Sequence, residues 1–357
     1  MTSSTSSPKP ITSLRGHSAP VLCLATLPAD PTTLASGAED GTARIWDVAR
    51  GRCRRGIRVG GAGEEVNSVC WGLDPNEVYV AAGAKVHAVD LRSPGVVITA
   101  STPVGPAADD DINQICLHEK GTFLAVADDS GQVRVLDMRT RRPFKRFRRG
   151  HDSLAMCVRF QPQTSWTLWS GGMDNTVIAW DYSKGAPVAE FDMASPPETS
   201  TSPSPSPTPE PTAPQTINPP FVQCMDFSPN GNILAAGLGD GALALIEPPL
   251  STTTAKGKGK ASGAPWMYRS RLEGGHTWSV AAMTFVPNSH IYNNSTLLTG
   301  GIDGVVAIWR SVDISSASPT IDTKNTPPSS LRLDTRYRVH RKVNCIVATV
   351  HAFFVRM

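Results

Sequence analysis

"LASGAEDGTARIWD", Leu34–Asp47, places a Ser ahead of an Asp-Gly turn, follows it with a short apolar run and ends on Trp-Asp. An Asp-Gly pair flanked by apolar segments marks a hairpin. The same order returns in "TLWSGGMDNTVIAWD" (Thr167–Asp181) and "LLTGGIDGVVAIWR" (Leu297–Arg310), with Ser36 to Asp40, Ser170 to Asp174 and Thr299 to Asp303 at equal steps. A Gly-His pair precedes each: Gly16-His17, Gly150-His151 and Gly275-His276. Weaker copies lie at 123–137 ("FLAVADDSGQVRVLD"), 233–247 ("ILAAGLGDGALALIE") and 78–90 ("VYVAAGAKVHAVD"). The hairpin is therefore one copy of a repeat.

His17 and His151 lie 134 residues apart, as do Asp40 and Asp174, and Trp46 and Trp180. That interval divides into three units of about 45 residues, a period typical of propeller blades. Each unit reads as four strands, the last more polar than the rest, as in "GRCRRGIRV" and "RPFKRFRRG". Composition agrees with a turn-rich β protein, since Gly and Pro each number 30 and both disfavour long helices. No apolar run approaches the roughly 18 residues of a membrane helix, so the expectation is a soluble intracellular chain, cytoplasmic, nuclear or both, with no membrane partner.

Gly-His to Trp-Asp units resemble the WD-repeat family of β-propellers. That resemblance implies a hydrogen-bonded structural relay in each intact unit: His17/Ser36/Asp40/Trp46, His151/Ser170/Asp174/Trp180 and His276/Thr299/Asp303/Trp309. The physical logic stands beside the name. A turn Asp accepts backbone N–H groups and an imidazole N–H, the imidazole accepts from a hydroxyl, and the hydroxyl takes the indole N–H, leaving few buried polar groups unpaired. A Ser/His/Asp set is also the make-up of a hydrolase triad. Threefold recurrence, always with Trp, and the lack of a G-x-S-x-G elbow favour the structural role. The protein is accordingly expected to be no enzyme and to need no cofactor.

The expected fold is all-β, a seven-bladed WD-repeat β-propeller with an incomplete last blade, forming a single domain over 10–357. The family's closing blade continues beyond a strand like "VNCIV", whereas "HAFFVRM" leaves room for about one more strand, as a shortened chain would. The segment "PITSLRG" (10–16) is expected to become the outermost strand of that blade. Tracts rich in Ser, Pro, Thr, Gly and Lys at 194–220, 251–265 and 315–330 bury too little apolar surface to fold and read as disordered insertions. Cys23, Cys53, Cys70, Cys116, Cys157, Cys224 and Cys345 show no paired spacing. Most sit in apolar strands and read as buried thiols of a reducing compartment rather than a metal site.

For function, the resemblance implies an interaction scaffold, monomeric, whose partners are proteins. Some family members are substrate receptors of cullin-RING ubiquitin ligases and insert the Arg of a Trp-Asp-x-Arg motif into the damage-specific DNA-binding adaptor. The nearest matches are "VDLR" with Asp90 and Arg92, and "LDMR" with Asp137 and Arg139; neither keeps the Trp. A second reading is a reader of peptide tails or nucleic acid through the central channel and a basic edge, formed by Arg141, Arg142, Lys145, Arg146, Arg148 and Arg149. Such a run serves equally as charge that protects an outer strand from adding another chain.

Overall fold

A computed structural model describes residues 12–61, 63–197, 218–248, 266–287, 296–311, 331–339, 342–348 and 353–356. Among them there are strands and turns but no helix. The first sheet holds β1 (Val21–Leu27), β2 (Asp30–Ala38), β3 (Thr42–Asp47) and β4 (Arg52–Arg58). The second is built from β5 (Val66–Trp71), β6 (Glu77–Ala82) and β7 (Lys85–Asp90); the chain then lays β8 (Val97–Ile98) on the first sheet before returning as β9 (Thr102–Pro103). Blade three is β10 (Ile112–Leu117), β11 (Phe123–Asp128), β12 (Val133–Asp137) and β13 (Arg142–Lys145). Blade four is β14 (Ala155–Phe160), β15 (Thr167–Gly172), β16 (Thr176–Asp181) and β17 (Ala186–Asp192). Blade five is β18 (Val222–Phe227), β19 (Leu234–Leu238), β20 (Leu243–Glu247) and β21 (Met267–Leu272). Blade six is β22 (Val280–Phe285), β23 (Thr296–Gly301), β24 (Val305–Ser311) and β25 (Leu331–Arg338).

The expected seven blades are thus corrected to six among the described residues. After blade six the chain forms a two-stranded ribbon, β26 (Cys345–Ala348) and β27 (Phe353–Arg356), with β26 lodged between β22 and β1. A blade takes four strands and about 40 residues, and the described residues from Val343 onward supply two strands. The segment 12–16 is no strand either. It runs along blade one, with Thr12 against Gly51 and Gly16 against Arg44 and Trp46. A polar segment this short becomes a strand only where an edge is offered to it. The tracts expected to be disordered fall mostly on 198–217, 249–265 and 312–330, outside the described residues.

The core lies between blades rather than in a single centre. One buried cluster joins Ile45 and Ile57 of blade one to Val78 and Val80 of blade two, and like clusters fill each successive gap round to β26 and back to Val21. Every blade therefore buries both faces, and its middle strands are nearly continuous apolar runs, as in β19 and β20. All six inner strands carry the same register shift, at Leu22, Asn67, Asn113, Met156, Gln223 and Ala281. A shared bulge adds the same local twist to each. Turn chemistry is equally regular. Gly41 and Gly304 sit at φ 70° after the turn Asp, and Asn175 takes φ 65° in blade four, a conformation that Asn tolerates better than other side chains.

Candidate functional site: the relay face and the strand-end cleft

Each intact unit brings its four polar residues together. In blade one the Trp46 indole N–H donates to Ser36 Oγ at 2.8 Å, Ser36 Oγ lies 2.7 Å from His17 Nε2, and His17 Nδ1 lies 3.0 Å from Asp40. In blade four the matching distances are 2.8 Å for Trp180 to Ser170, 2.8 Å for Ser170 to His151 and 3.0 Å for His151 to Asp174. Blade six keeps 2.9 Å for Trp309 to Thr299 and 2.8 Å for Thr299 to His276, but stretches His276 to Asp303 to 3.4 Å. An ionised carboxylate only accepts, so the network puts the imidazole proton on Nδ1; the hydroxyl then donates to Nε2 and receives the indole N–H.

The same carboxylates pin two loops. Asp40 accepts the backbone N–H of Ser18 at 2.9 Å and of Thr42 at 3.1 Å, and Asp174 accepts those of Asp152 and Thr176 at the same distances. Burial works against the charge of Asp40, yet the bonds from Thr42, Ser18 and His17 outweigh it and hold its carboxyl at about 2. Asp174 also falls to about 2, where burial is overcome chiefly by His151 and Thr176. Asp303 is lowered in the same manner. In each unit the Ser or Thr oxygen sits between indole and imidazole, so the constellation arranges a hydroxyl to be held rather than to attack.

A second polar layer, which sequence reasoning missed, ties inner strands across blades. Asn67 Nδ2 donates to Ile112 O, Asn113 Nδ2 to Ala155 O and Asn344 Nδ2 to Val21 O, at 3.2, 3.1 and 3.2 Å. The signal was a recurring Val/Ile-Asn at 66–67, 112–113 and 343–344. Arg159 and Asp226, on neighbouring inner strands, approach to 3.6 Å, and Asp226 accepts the Phe285 N–H at 2.9 Å. Burial nonetheless pushes the Asp226 carboxyl up against the pull of Arg159. The seven cysteines form no disulfide with one another. Burial raises Cys23 and Cys157 to about 12, and lifts Cys70, Cys116 and Cys224 as well. Cys53 lies on β4, where its thiol donates to the Arg55 carbonyl oxygen. Among the described residues no group of three or more His, Cys, Asp or Glu is placed to hold a metal.

On the opposite face, where the third strands end, a cleft of about 440 Å³ opens between blades two and three, lined by Asp74, Glu77, Asp90, Arg92, Ser101 and Arg141. The two Asp-x-Arg pairs are not equivalent there. Arg92 closes a fork on Asp90, with Nε to Oδ1 and Nη2 to Oδ2 both 2.9 Å, and also reaches Asp74 at 3.4 Å. Both acids accept the backbone N–H of their Arg, Asp90 at 2.9 Å and Asp137 at 2.8 Å, but the exposed Arg139 guanidinium faces no carboxylate among the described residues.

The basic runs also part company. β4 is not the outer edge of its sheet, because β8 pairs with it in parallel through Gly56–Val97 and Ile57–Ile98. β13, only four residues long, has no strand on its outer side among the described residues. Beside it a groove of about 900 Å³ is lined in part by Phe144, Lys145, Arg146, Phe147 and Arg148. Of the six cations predicted for a basic edge, Arg149 pairs with Glu190. Arg141, Arg142, Lys145, Arg146 and Arg148 are exposed and have no carboxylate partner among the described residues.

Blades of four antiparallel strands set around a ring define the β-propeller class. Comparison with known proteins carries this further: the profile described as "WD domain, G-beta repeat" matches residues 8–47, 142–181, 215–246 and 269–310, so the propeller carries WD repeats. The stretches "GHSAPVLCL", "LAVADDSGQVRVLDMR" and "VHRKVNCIV" carry a narrower likeness to WD repeat-containing protein 53. The Dictyostelium discoideum homolog of that protein is 27% identical over 343 residues, 95% of this chain and 88% of the relative. Rat ribosome biogenesis protein BOP1 is 31% identical over 43% of this chain, which spans 25% of that relative. Xenopus laevis DDB1- and CUL4-associated factor 13 is 29% identical over 50% of this chain, spanning 39% of that relative. Among solved structures, the WD40 β-propeller domain of Doa1 superposes with a TM-score of 0.64 at 14% identity, covering 96% of this chain and 91% of that one. No helix among the described residues is long and apolar enough to cross a membrane.

Proposed function

We propose that the chain is a monomeric, non-enzymatic interaction scaffold that acts as a substrate receptor of a cullin-RING ubiquitin ligase in the cytoplasm, the nucleus or both. The observation that carries this reading is Arg139: exposed, without a carboxylate partner among the described residues, and beside Asp137 at the end of the third strand of blade three. A guanidinium free of internal partners makes bidentate contacts with a carboxylate or carbonyl of a docking surface. The name of the Xenopus relative, which couples DDB1 and CUL4, points to the same kind of adaptor. Arg92 is tied to Asp90 and Asp74 and plays a secondary part. The test is co-precipitation of DDB1 with the full chain. Arg139→Ala is expected to lower recovery at least tenfold and Arg92→Ala to lower it less. Undiminished recovery with Arg92→Ala and Arg139→Ala combined overturns the reading.

A second reading, nucleic acid held at the basic edge rather than a peptide tail held in the channel, rests on charge. Residues 139–149 carry seven cations and no carboxylate. The inner-strand polar groups Asn67, Asn113 and Asp226 are already engaged with neighbouring blades.

A further inference from the structure

Resting on that second reading, we infer that the outer edge of blade three binds single-stranded polynucleotide, with cations of β13 and its continuation taking phosphates and the Phe144–Trp166 stack receiving a base. Three observations converge. Arg142, Lys145, Arg146 and Arg148 are exposed and free of carboxylates among the described residues, whereas Arg134 and Arg149 are neutralised by Asp109 and Glu190. Their charge is left for an outside anion.

The groove beside them is apolar as well as cationic: Val133, Phe144 and Phe147 line it with the basic residues, and its one carboxylate, Asp109, is taken up by Arg134. Phe144 lies nearly parallel to Trp166, with ring centroids 6.0 Å apart and planes 17° from each other. Trp166 is 44% exposed, one of few large apolar side chains left at the surface. Cations beside a ring pair whose Trp reaches the surface describe a site for unpaired nucleotides, whose bases present a π-face that a duplex conceals. An acidic polypeptide would use the cations and leave the indole idle.

The distribution of negative charge points the same way. Glu39, Glu65, Asp110 and Asp111 are exposed around the loops of the relay face, where the backbone bonds Glu39 N to Pro20 O and Asp129 N to Asp111 O mark equivalent positions at the tops of blades one and three. That rim repels phosphate from the channel mouth and leaves the flank of blade three as the favourable approach. The four-residue β13 with Pro143 offers little ladder for an added strand, so contacts by side chain dominate over strand addition.

The experiment is fluorescence anisotropy with the full chain and a labelled mixed-sequence 15-nucleotide RNA, beside a duplex of equal length and a polyglutamate competitor. With four phosphates neutralised on a single strand, affinity is expected to fall about fiftyfold between 50 and 200 mM salt. Reversing Arg142, Lys145, Arg146 and Arg148 to Glu abolishes binding, and the milder set of Gln substitutions flattens the salt slope. Trp166→Ala weakens binding by roughly five- to a hundredfold and leaves the slope unchanged; Trp166→Tyr restores most of the loss. Circular dichroism confirms folding of each variant. Wild-type binding that survives the four reversals overturns this site and leaves the broader nucleic-acid reading standing. No RNA binding by the wild type at 50 mM salt removes both. A duplex bound as tightly as the single strand, or displacement by polyglutamate at equal charge, overturns the assignment to unpaired nucleotides.

Discussion

Blades one, four and six carry the full His/hydroxyl/Asp/Trp relay; blades two, three and five do without it and fold into the same four strands. Their solutions differ. Blade five keeps the turn Asp but pairs Asp240 with Arg271 from its own outer strand. In blade three the fully buried Asp128 accepts the backbone N–H groups of Ser130 and Gln132 at 3.1 Å and no imidazole. Blade two omits the acid and turns in two residues, with Gly83 at φ 54°. Two roles separate here. Apolar middle strands and turn geometry specify a blade, while the relay adds stability and fastens the loop that enters it.

The largest expected contrast comes from the third strand. Trp180 and Ile246 occupy matching registers, opposite Leu168 and Leu234, and both are fully buried. Trp180→Ala opens a cavity worth about 3–5 kcal/mol and strips Ser170 of its indole donor. Ile246→Ala opens only the cavity, about 2–5 kcal/mol. Urea midpoints should drop further for the tryptophan variant; equal drops would mean the relay adds nothing beyond packing.

An intermediate effect is expected from acid. The carboxyls of Asp40 and Asp174 are depressed to about 2 from 3.8, so each contributes on the order of 2 kcal/mol that is fully present above about pH 4. As pH falls through 2 that contribution is lost. Thermal melts should therefore show Asp40→Asn and Asp174→Asn well below wild type at pH 5, with the gap closing towards pH 2. A gap constant over that range would show that the charge of the acid is immaterial.

The smallest effect concerns the Asn links between inner strands. Asn67→Ala and Asn113→Ala each remove one hydrogen bond to the next blade, about 1 kcal/mol, and speed amide exchange locally at β10 and β14. Unchanged exchange at those strands would assign blade registration to apolar packing alone.

The hairpin units and the relay quartets were legible because all four members of each quartet lie within 35 residues, with the same four-residue step from hydroxyl to Asp and six-residue step from Asp to Trp in every copy. Partners further away were not. Asn67 reaches a carbonyl 45 residues on, and Asp226 meets an Arg 67 residues earlier; "MDF" carries no mark of such a bond, and the Val/Ile-Asn pair stands out only once its three copies are set side by side. The blade count went astray for a related reason. "VNCIV" does begin an inner strand, but a full blade depends on two further outer strands that an inner-strand motif does not encode. The shielding of β4 by β8 was equally hidden, since the covering residue Val97 lies 41 residues beyond its partner Gly56.

The ribbon β26–β27 makes the ring's joints unequal. Among the described residues, Val21, Ala38 and Cys345 form the buried cluster between the ribbon and blade one, against fourteen between blades one and two. A circular band under thermal agitation parts first at its thinnest weld. That seam, buttoned by Asn344 on Val21, is where breathing of the annulus is expected to begin, with the stouter welds elsewhere holding the remaining arc in register.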